Sequence, residues 1–89
     1  MENNKVGNFI AEMRKKKNLT QQQLGDKLYV TDKAVSKWER GISLPDITLL
    51  SEMAKIFNVS VEDILNGEKV DNKEEIDVEK RIKEIFKEN

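Results

Sequence analysis

Residues 31–40 carry polar side chains at the spacing of one helix face. The set comprises Thr31, Asp32, Lys33, Ser36, Lys37 and Arg40. Lysine and arginine donate hydrogen bonds, aspartate accepts them and hydroxyl groups do both. Base edges in the major groove of DNA present matching donors and acceptors, and phosphates attract the cations. We therefore expect the first five side chains to face a groove and Arg40 to hold a flanking phosphate. The alternative is an ordinary solvated helix face.

Three glutamines, Gln21, Gln22 and Gln23, open the helix predicted just before that face. The amino end of a helix presents free N–H groups that attract anions, and amide side chains beside them add donors. Residues 14–17 place four consecutive cations a few residues earlier. We interpret both segments as phosphate contacts, although glutamine at a helix start also serves simply as a cap.

Residue types needed for most catalytic chemistry are missing. The chain has no histidine and no cysteine, which excludes zinc fingers, haem, iron–sulfur clusters, disulfides and Ser-His-Asp or Cys-His catalysis. It has no glycine-rich phosphate loop. The acidic pairs at 62–63 and 74–75 are adjacent in sequence, so on a helix they point apart and cannot act as a general acid and base. We expect no enzyme activity, cofactor or metal.

The net charge of −1 is unevenly distributed. Residues 5–40 hold nine Lys/Arg against four Asp/Glu, whereas residues 41–67 hold one against four and residues 68–89 six against eight. Such a chain can present a cationic face to a polyanion without being basic overall. Charge also partitions by chance, so this excess supports the interface only together with its geometry.

The hydrophobic pattern predicts an all-α domain. Apolar residues recur at intervals of three and four, and no segment alternates like a strand. Thr20, Thr31 and Ser60 each follow an apolar residue and have the spacing of an N-cap, and Asp46 is a fourth candidate. The predicted helices run over about 5–17, 20–28, 31–40, 46–57 and 61–66.

The first four predicted helices each have an apolar stripe. The residues expected to be buried are Val6, Phe9, Ile10, Met13, Leu24, Leu28, Val35, Trp38, Ile47, Leu50, Met53, Ala54 and Phe57. Helices 20–28 and 31–40 are separated by only Tyr29 and Val30, so they must cross steeply, as in a helix-turn-helix. Gly25 provides a small residue where the two backbones approach, although glycine in a helix interior costs about 1 kcal/mol.

Several of these residues form a recognisable pattern. The segments that carry it are Leu19-Thr20-Gln21, Leu24-Gly25, Val30-Thr31, Ser36-Lys37-Trp38-Glu39-Arg40-Gly41 and Asn58-Val59-Ser60. Over residues 5–67 the chain resembles the Cro/CI-type helix-turn-helix family, also described as XRE or phage-repressor-like. The resemblance implies a compact five-helix domain whose third helix lies in the major groove of operator DNA, commonly as a homodimer on palindromic sites.

The resemblance also implies roles for individual residues. Gln21 matches a residue that holds a phosphate and braces the recognition helix. Base-reading positions are matched by Thr31, Asp32, Lys33 and Lys37, with Ser36 beside them and Arg40 in a position that contacts the DNA backbone. Arg14 and Glu39 match an ion pair between the first and third helices.

Three residues depart from what the family or the site favours. Gly25 stands where the family often has alanine, and Tyr29 where it often has glycine; in a left-handed conformation a tyrosine is mildly strained. Asp32 is unusual beside phosphates. We favour the interpretation that its charge stabilises the positive amino end of a helix. Asp32 could also accept a hydrogen bond from a cytosine amino group, or its negative charge could disfavour binding to incorrect DNA sites.

We divide the chain into a helix-turn-helix domain at 1–67 and a linker with an amphipathic C-terminal helix at 68–89. That helix is expected from about 72 to 87, with one apolar stripe formed by Val78, Ile82, Ile85 and Phe86. The stripe suits dimerisation, which we favour, or packing on the same chain; a solvated tail is the third possibility. No membrane span or export signal is recognisable, so we expect a cytoplasmic protein.

Together these features predict a sequence-specific DNA-binding transcriptional regulator, specifically a prokaryotic repressor. Its partners would be double-stranded operator DNA and a second copy of the chain. The alternative is a protein-interaction module with the same fold, such as an antitoxin or an antagonist of a regulator.

Overall fold

The computed structural model describes residues 2–69 as five helices joined by short turns. The helices are α1 (Glu2–Lys16), α2 (Gln21–Leu28), α3 (Asp32–Glu39), α4 (Ile47–Phe57) and α5 (Val61–Asn66). Residues 2–69 contain no strand, and the predicted all-α fold is confirmed. The C-terminal helix predicted at 72–87 lies outside the described residues. Within the described part of the chain, no helix is both long and apolar enough to span a membrane.

Local capping defines the starts of four helices. Thr20, Thr31, Asp46 and Ser60 each accept a hydrogen bond from the backbone N–H three residues further on, at 2.9–3.1 Å. Each cap residue has an extended backbone, so α2, α3, α4 and α5 each begin one residue after the cap. The predicted cap positions are therefore confirmed, because an N-cap depends on residues close in sequence.

The start of α1 differs from the prediction. The helix begins at Glu2 rather than near Lys5. Residues 2–4 are all polar, so the apolar periodicity that defines the rest of α1 gives no sign of this additional turn. A helix can extend beyond the apolar stripe that anchors it.

The core lies between the inner faces of all five helices. Its fully buried side chains include Ile10, Leu24, Val35, Met53 and Phe57. All the predicted core residues are buried except Ile47, which is 71% exposed. Ile47 is the first residue of α4 and shares a face with the buried Leu50, but it and the neighbouring Thr48 are exposed, so burial along α4 begins at Leu49 and Leu50.

Two glycines allow α3 to pack closely on its neighbours. A Cβ atom on Gly25 of α2 would lie 2.7 Å from the Val30 carbonyl oxygen and 3.2 Å from that of Thr31, the cap of α3, so the predicted close approach occurs at the turn that enters α3. A Cβ atom on Gly7 of α1 would lie 2.7 Å from the Glu39 carbonyl oxygen and closer still to that of Trp38. Both glycines therefore help to set the position of α3 against the core.

Candidate nucleic-acid interface

The polar residues predicted to form the site lie together on one side of α3. Thr31, Asp32, Lys33, Lys37 and Arg40 are exposed, and Ser36 is half-buried between them. On the opposite side of the helix, Val35 is fully buried and Trp38 is 5% exposed. We call the solvent-facing set (residues 31–33, 36, 37 and 40) the outer face of α3.

The amino end of α3 combines a cap with an acidic residue. The Thr31 hydroxyl oxygen accepts from the Ala34 N–H at 3.1 Å, and the Thr31 side chain is exposed. Asp32 lies in the first turn of the helix, where the helix dipole favours a negative charge. Among residues 2–69, its carboxylate forms no ion pair. This arrangement agrees with the helix-terminus interpretation of Asp32.

The carboxyl end of the outer face is held by a contact between two predicted site residues. Arg40 Nε donates to the Ser36 hydroxyl oxygen at 3.2 Å and to the Ser36 carbonyl oxygen at 3.4 Å. This contact directs the guanidinium along the helix surface. The two terminal guanidinium nitrogens form no hydrogen bond within the part of the chain that the structure covers, and they remain available to a phosphate.

A hydrogen-bonded ion pair holds α3 on the side opposite its outer face. Arg14 Nε donates to Glu39 Oε2 at 2.6 Å and Arg14 Nη2 to Glu39 Oε1 at 3.1 Å. The two side chains are only 12% and 7% exposed, respectively. Arg14 Nη1 also donates to the Leu19 carbonyl oxygen at 2.8 Å. The ion pair implied by the family resemblance is therefore confirmed, and it joins α1 to α3.

Gln21 extends this network to α2. Its Nε2 donates to Glu39 Oε1 at 3.0 Å, so Gln21 braces α3 as the resemblance implies. Because Gln21 and Gln22 are the first two residues of α2, their backbone N–H groups have no partner within the helix. The predicted phosphate contact of Gln21 remains a prediction.

The neighbouring polar residues do not all have the role first assigned to them. Gln23 Oε1 accepts from the Thr20 N–H at 2.8 Å, and this confirms the capping box that the Thr20–Gln23 spacing predicts. The Gln23 side chain therefore serves as a cap rather than as a phosphate contact. Arg14 does not belong to an exposed basic cluster at 14–17, because its guanidinium is turned inward to Glu39 and Leu19. Lys15, Lys16 and Lys17 remain exposed beside it.

Gly7 is a positioning residue that sequence reasoning missed. Its close approach to the carbonyl groups of Trp38 and Glu39 places the end of α3 on α1. The available signal was a glycine between the buried Val6 and Phe9, because an isolated glycine inside a helical pattern often marks a packing contact.

The turn between α2 and α3 contains an unusual residue. Tyr29 has φ 59° and ψ 39°, in the left-handed region, and its side chain is 96% exposed. The strain anticipated for a tyrosine at this position is therefore present, and the compact turn nevertheless forms.

Comparison with known proteins agrees with this geometry. A helix-turn-helix family model matches residues 10–64. The HTH-type transcriptional activator BcrR of Enterococcus faecalis is 36% identical over 77 residues, which cover 86% of this chain and 38% of that protein. The HTH-type transcriptional regulator ImmR of Bacillus subtilis is 31% identical over 84 residues, which cover 93% of this chain and 66% of that protein. The chain thus spans less than two thirds of the length of these two curated relatives.

A solved structure adds the fold comparison. The P22 c2 repressor protein, crystallised in complex with synthetic operator 9T, superposes with a TM-score of 0.67 at 32% sequence identity. The match covers 71% of this chain and 96% of that one. From the family match, the relatives and the superposition, this chain belongs to the helix-turn-helix family, of the Cro/CI (XRE) type.

Proposed function

We propose that this chain is a sequence-specific DNA-binding transcriptional regulator that inserts α3 into the major groove of its operator. The observation that carries the proposal is the contrast between the two sides of α3. The inner side is locked by Trp38 and by the Arg14–Glu39–Gln21 network, whereas the outer face presents exposed donors and acceptors. A rigid helix with free polar groups is what direct readout requires.

The chemistry of the outer face divides it into two groups. Lys33 and Lys37 are exposed cations on long stems and form no ion pair within residues 2–69, so they suit acceptor atoms such as guanine O6 and N7. Thr31, Asp32 and Ser36 are short and suit bases at the floor of the groove.

Phosphate contacts would come from the edges of this surface. We assign them to Arg40 and to the amino end of α2, where Gln21 and the free backbone N–H groups lie. Such contacts make binding depend on salt, because each neutralised phosphate releases counterions. They contribute affinity and orientation rather than discrimination between sequences.

The relatives support a role in transcription. BcrR is named a transcriptional activator and ImmR a transcriptional regulator, and the P22 c2 repressor was crystallised with an operator. We propose that this chain acts in the cytoplasm as a repressor, by occupying an operator and blocking or redirecting polymerase. We also propose a homodimer, since one recognition helix reads few base pairs and a two-fold dimer doubles the site.

The test begins with selection of bound sequences from a random duplex pool, which yields the motif, its symmetry and any half-site spacing. Lys33→Ala and Lys37→Ala are then compared with Lys15→Ala, a change to an exposed lysine on α1 outside the outer face. Each α3 variant should lose discrimination at particular base pairs, worth about 1–3 kcal/mol per contact. Lys15→Ala should weaken binding to all sequences by a similar factor or have no effect on binding.

Two results would contradict the proposal. Equal loss of discrimination in the α3 variants and in Lys15→Ala would show that α3 does not read the groove. Failure of the unmodified protein to bind any duplex at low salt would favour the protein-interaction alternative, because a DNA-binding domain retains salt-dependent non-specific affinity.

A further inference from the structure

Tyr29 is chemically out of place among the residues with positive φ. Within residues 2–69 these are Asn18, Tyr29, Gly41, Asn58 and Gly67. Glycine adopts the left-handed region without steric cost, and asparagine is the side chain enriched there. Tyrosine has neither advantage, so its presence in this set needs a separate explanation.

The backbone of the turn imposes this conformation on whichever residue occupies position 29. The Tyr29 N–H is directed at the carbonyl oxygens of Asp26 and Gly25, and the Val30 N–H donates to Gly25 O at 2.9 Å. The close approach of Gly25 to Val30 leaves the turn little freedom. Glycine would therefore satisfy the same turn with less strain.

Nothing within the described domain compensates for the tyrosine. Its side chain is 96% exposed, and its hydroxyl forms no hydrogen bond with residues 2–69. The ring therefore contributes almost no packing to the domain. A strained residue whose side chain serves no intramolecular contact is a candidate for contact with a ligand.

The position of Tyr29 indicates which ligand. It lies two residues before Thr31, so its Cα atom is at most about 7 Å from that of the residue that begins the outer face of α3. A helix end inserted into a groove is bordered by a sugar–phosphate strand. The exposed Lys27 and Lys33 lie on either side of Tyr29 in sequence, and so do the exposed Asp26 and Asp32, so the local net charge is zero. The choice of ligand therefore follows from the short distance to the outer face of α3.

We propose that Tyr29 contacts the DNA backbone at the edge of the groove entered by α3. Its hydroxyl group donates a hydrogen bond to a phosphate oxygen, and its ring packs against the adjoining deoxyribose. This inference rests on the proposed function and adds a residue to it. Because a backbone contact carries no sequence information, Tyr29 should strengthen binding to every duplex by a similar factor.

The experiment measures stability and affinity on the same variants of the full chain. Tyr29→Gly removes both the strain and the side chain, and Tyr29→Phe removes only the hydroxyl group. Asn58→Gly is the matched control, since Asn58 caps the carboxyl end of α4 with φ 58° and ψ 47° and lines a groove between α1, the end of α4 and residues 67–69. Urea midpoints are read from Trp38 fluorescence, and affinities from anisotropy with the selected operator and with a random duplex at low salt.

The proposal predicts that Tyr29→Gly leaves the urea midpoint unchanged or raises it. The same change should weaken binding to both duplexes by about three- to tenfold, the range expected for one or two lost contacts. Tyr29→Phe should show a smaller loss, and Asn58→Gly none. Unchanged affinity of Tyr29→Gly, or a lowered midpoint, would overturn the proposal, and a loss confined to the selected operator would contradict a backbone contact. If the unmodified chain binds neither duplex, it is the proposed function that fails first.

Discussion

Removing the charge of Glu39 should destabilise the domain far more than removing a surface charge. In Glu39→Gln the Arg14 guanidinium, only 12% exposed, keeps its bond to the Leu19 carbonyl but loses its counter-charge. Breaking a buried ion pair from one side costs about 3–5 kcal/mol. Glutamine retains one acceptor oxygen, so we expect a loss of about 3 kcal/mol, a large share of the roughly 5–15 kcal/mol that stabilises a typical domain.

The measurement is urea unfolding followed by the fluorescence of the single tryptophan, Trp38, which is 5% exposed when folded. A change in midpoint at constant slope reports stability. Glu12→Gln is the control, because Glu12 pairs with Lys16 at 3.7 Å with side chains 59% and 65% exposed. Such an exposed pair contributes about 0.5 kcal/mol or less.

Equal losses in Glu39→Gln and Glu12→Gln would refute the assignment of the Arg14–Glu39 pair as a buried structural contact. A double-mutant cycle with Arg14→Met sharpens the test. Since the two residues share hydrogen bonds, the double variant should be less destabilised than the sum of the single changes. Additive losses would show that the pair does not couple α1 to α3.

Four further changes test the packing around the site, each by urea unfolding followed by far-UV circular dichroism. Trp38→Ala should cost about 3–5 kcal/mol, because a buried aromatic side chain is lost from the inner side of α3; a folded variant of normal stability would contradict its place in the core. Gly7→Ala should be destabilising, since the added methyl group meets backbone carbonyls that cannot move freely; an unchanged midpoint would refute the close approach. Asp46→Ala should cost about 1 kcal/mol through loss of the α4 cap, and no loss would show that the cap is dispensable. Ile47→Ser should change stability by less than about 0.5 kcal/mol, because the side chain is 71% exposed; a larger loss would restore Ile47 to the core.

The features that could be predicted from sequence are those determined by nearby residues. The caps at Thr20, Thr31 and Ser60 each need only a hydroxyl group and a backbone N–H three residues away, and all three are present. The inward positions of Val35 and Trp38 follow from helical periodicity alone. The same periodicity places the outer face of α3 on the opposite side, so the membership of the candidate site follows from the sequence as well.

The features that escaped prediction depend on residues far apart in the chain. Ile47 matches the periodicity of α4, but only the packed structure shows that burial along this helix begins at Leu49 and Leu50. From sequence alone, Gly7 is only a residue of low helix propensity; its close contact with α3 is visible only in the packed structure. Arg14 is one of four consecutive cations, and composition cannot tell which of them turns inward; the family resemblance supplied Glu39 as its partner.

The central claim is that the outer face of α3 enters a DNA groove. It is tested by an NMR titration of the isotope-labelled full chain with a duplex that carries the selected operator. We predict that amide signals from residues 31–40, together with those of Gln21 and Gln22, shift at stoichiometric DNA, while signals from α5 remain in place. Unshifted signals over residues 31–40, or shifts confined to α4 and α5, would contradict the claim.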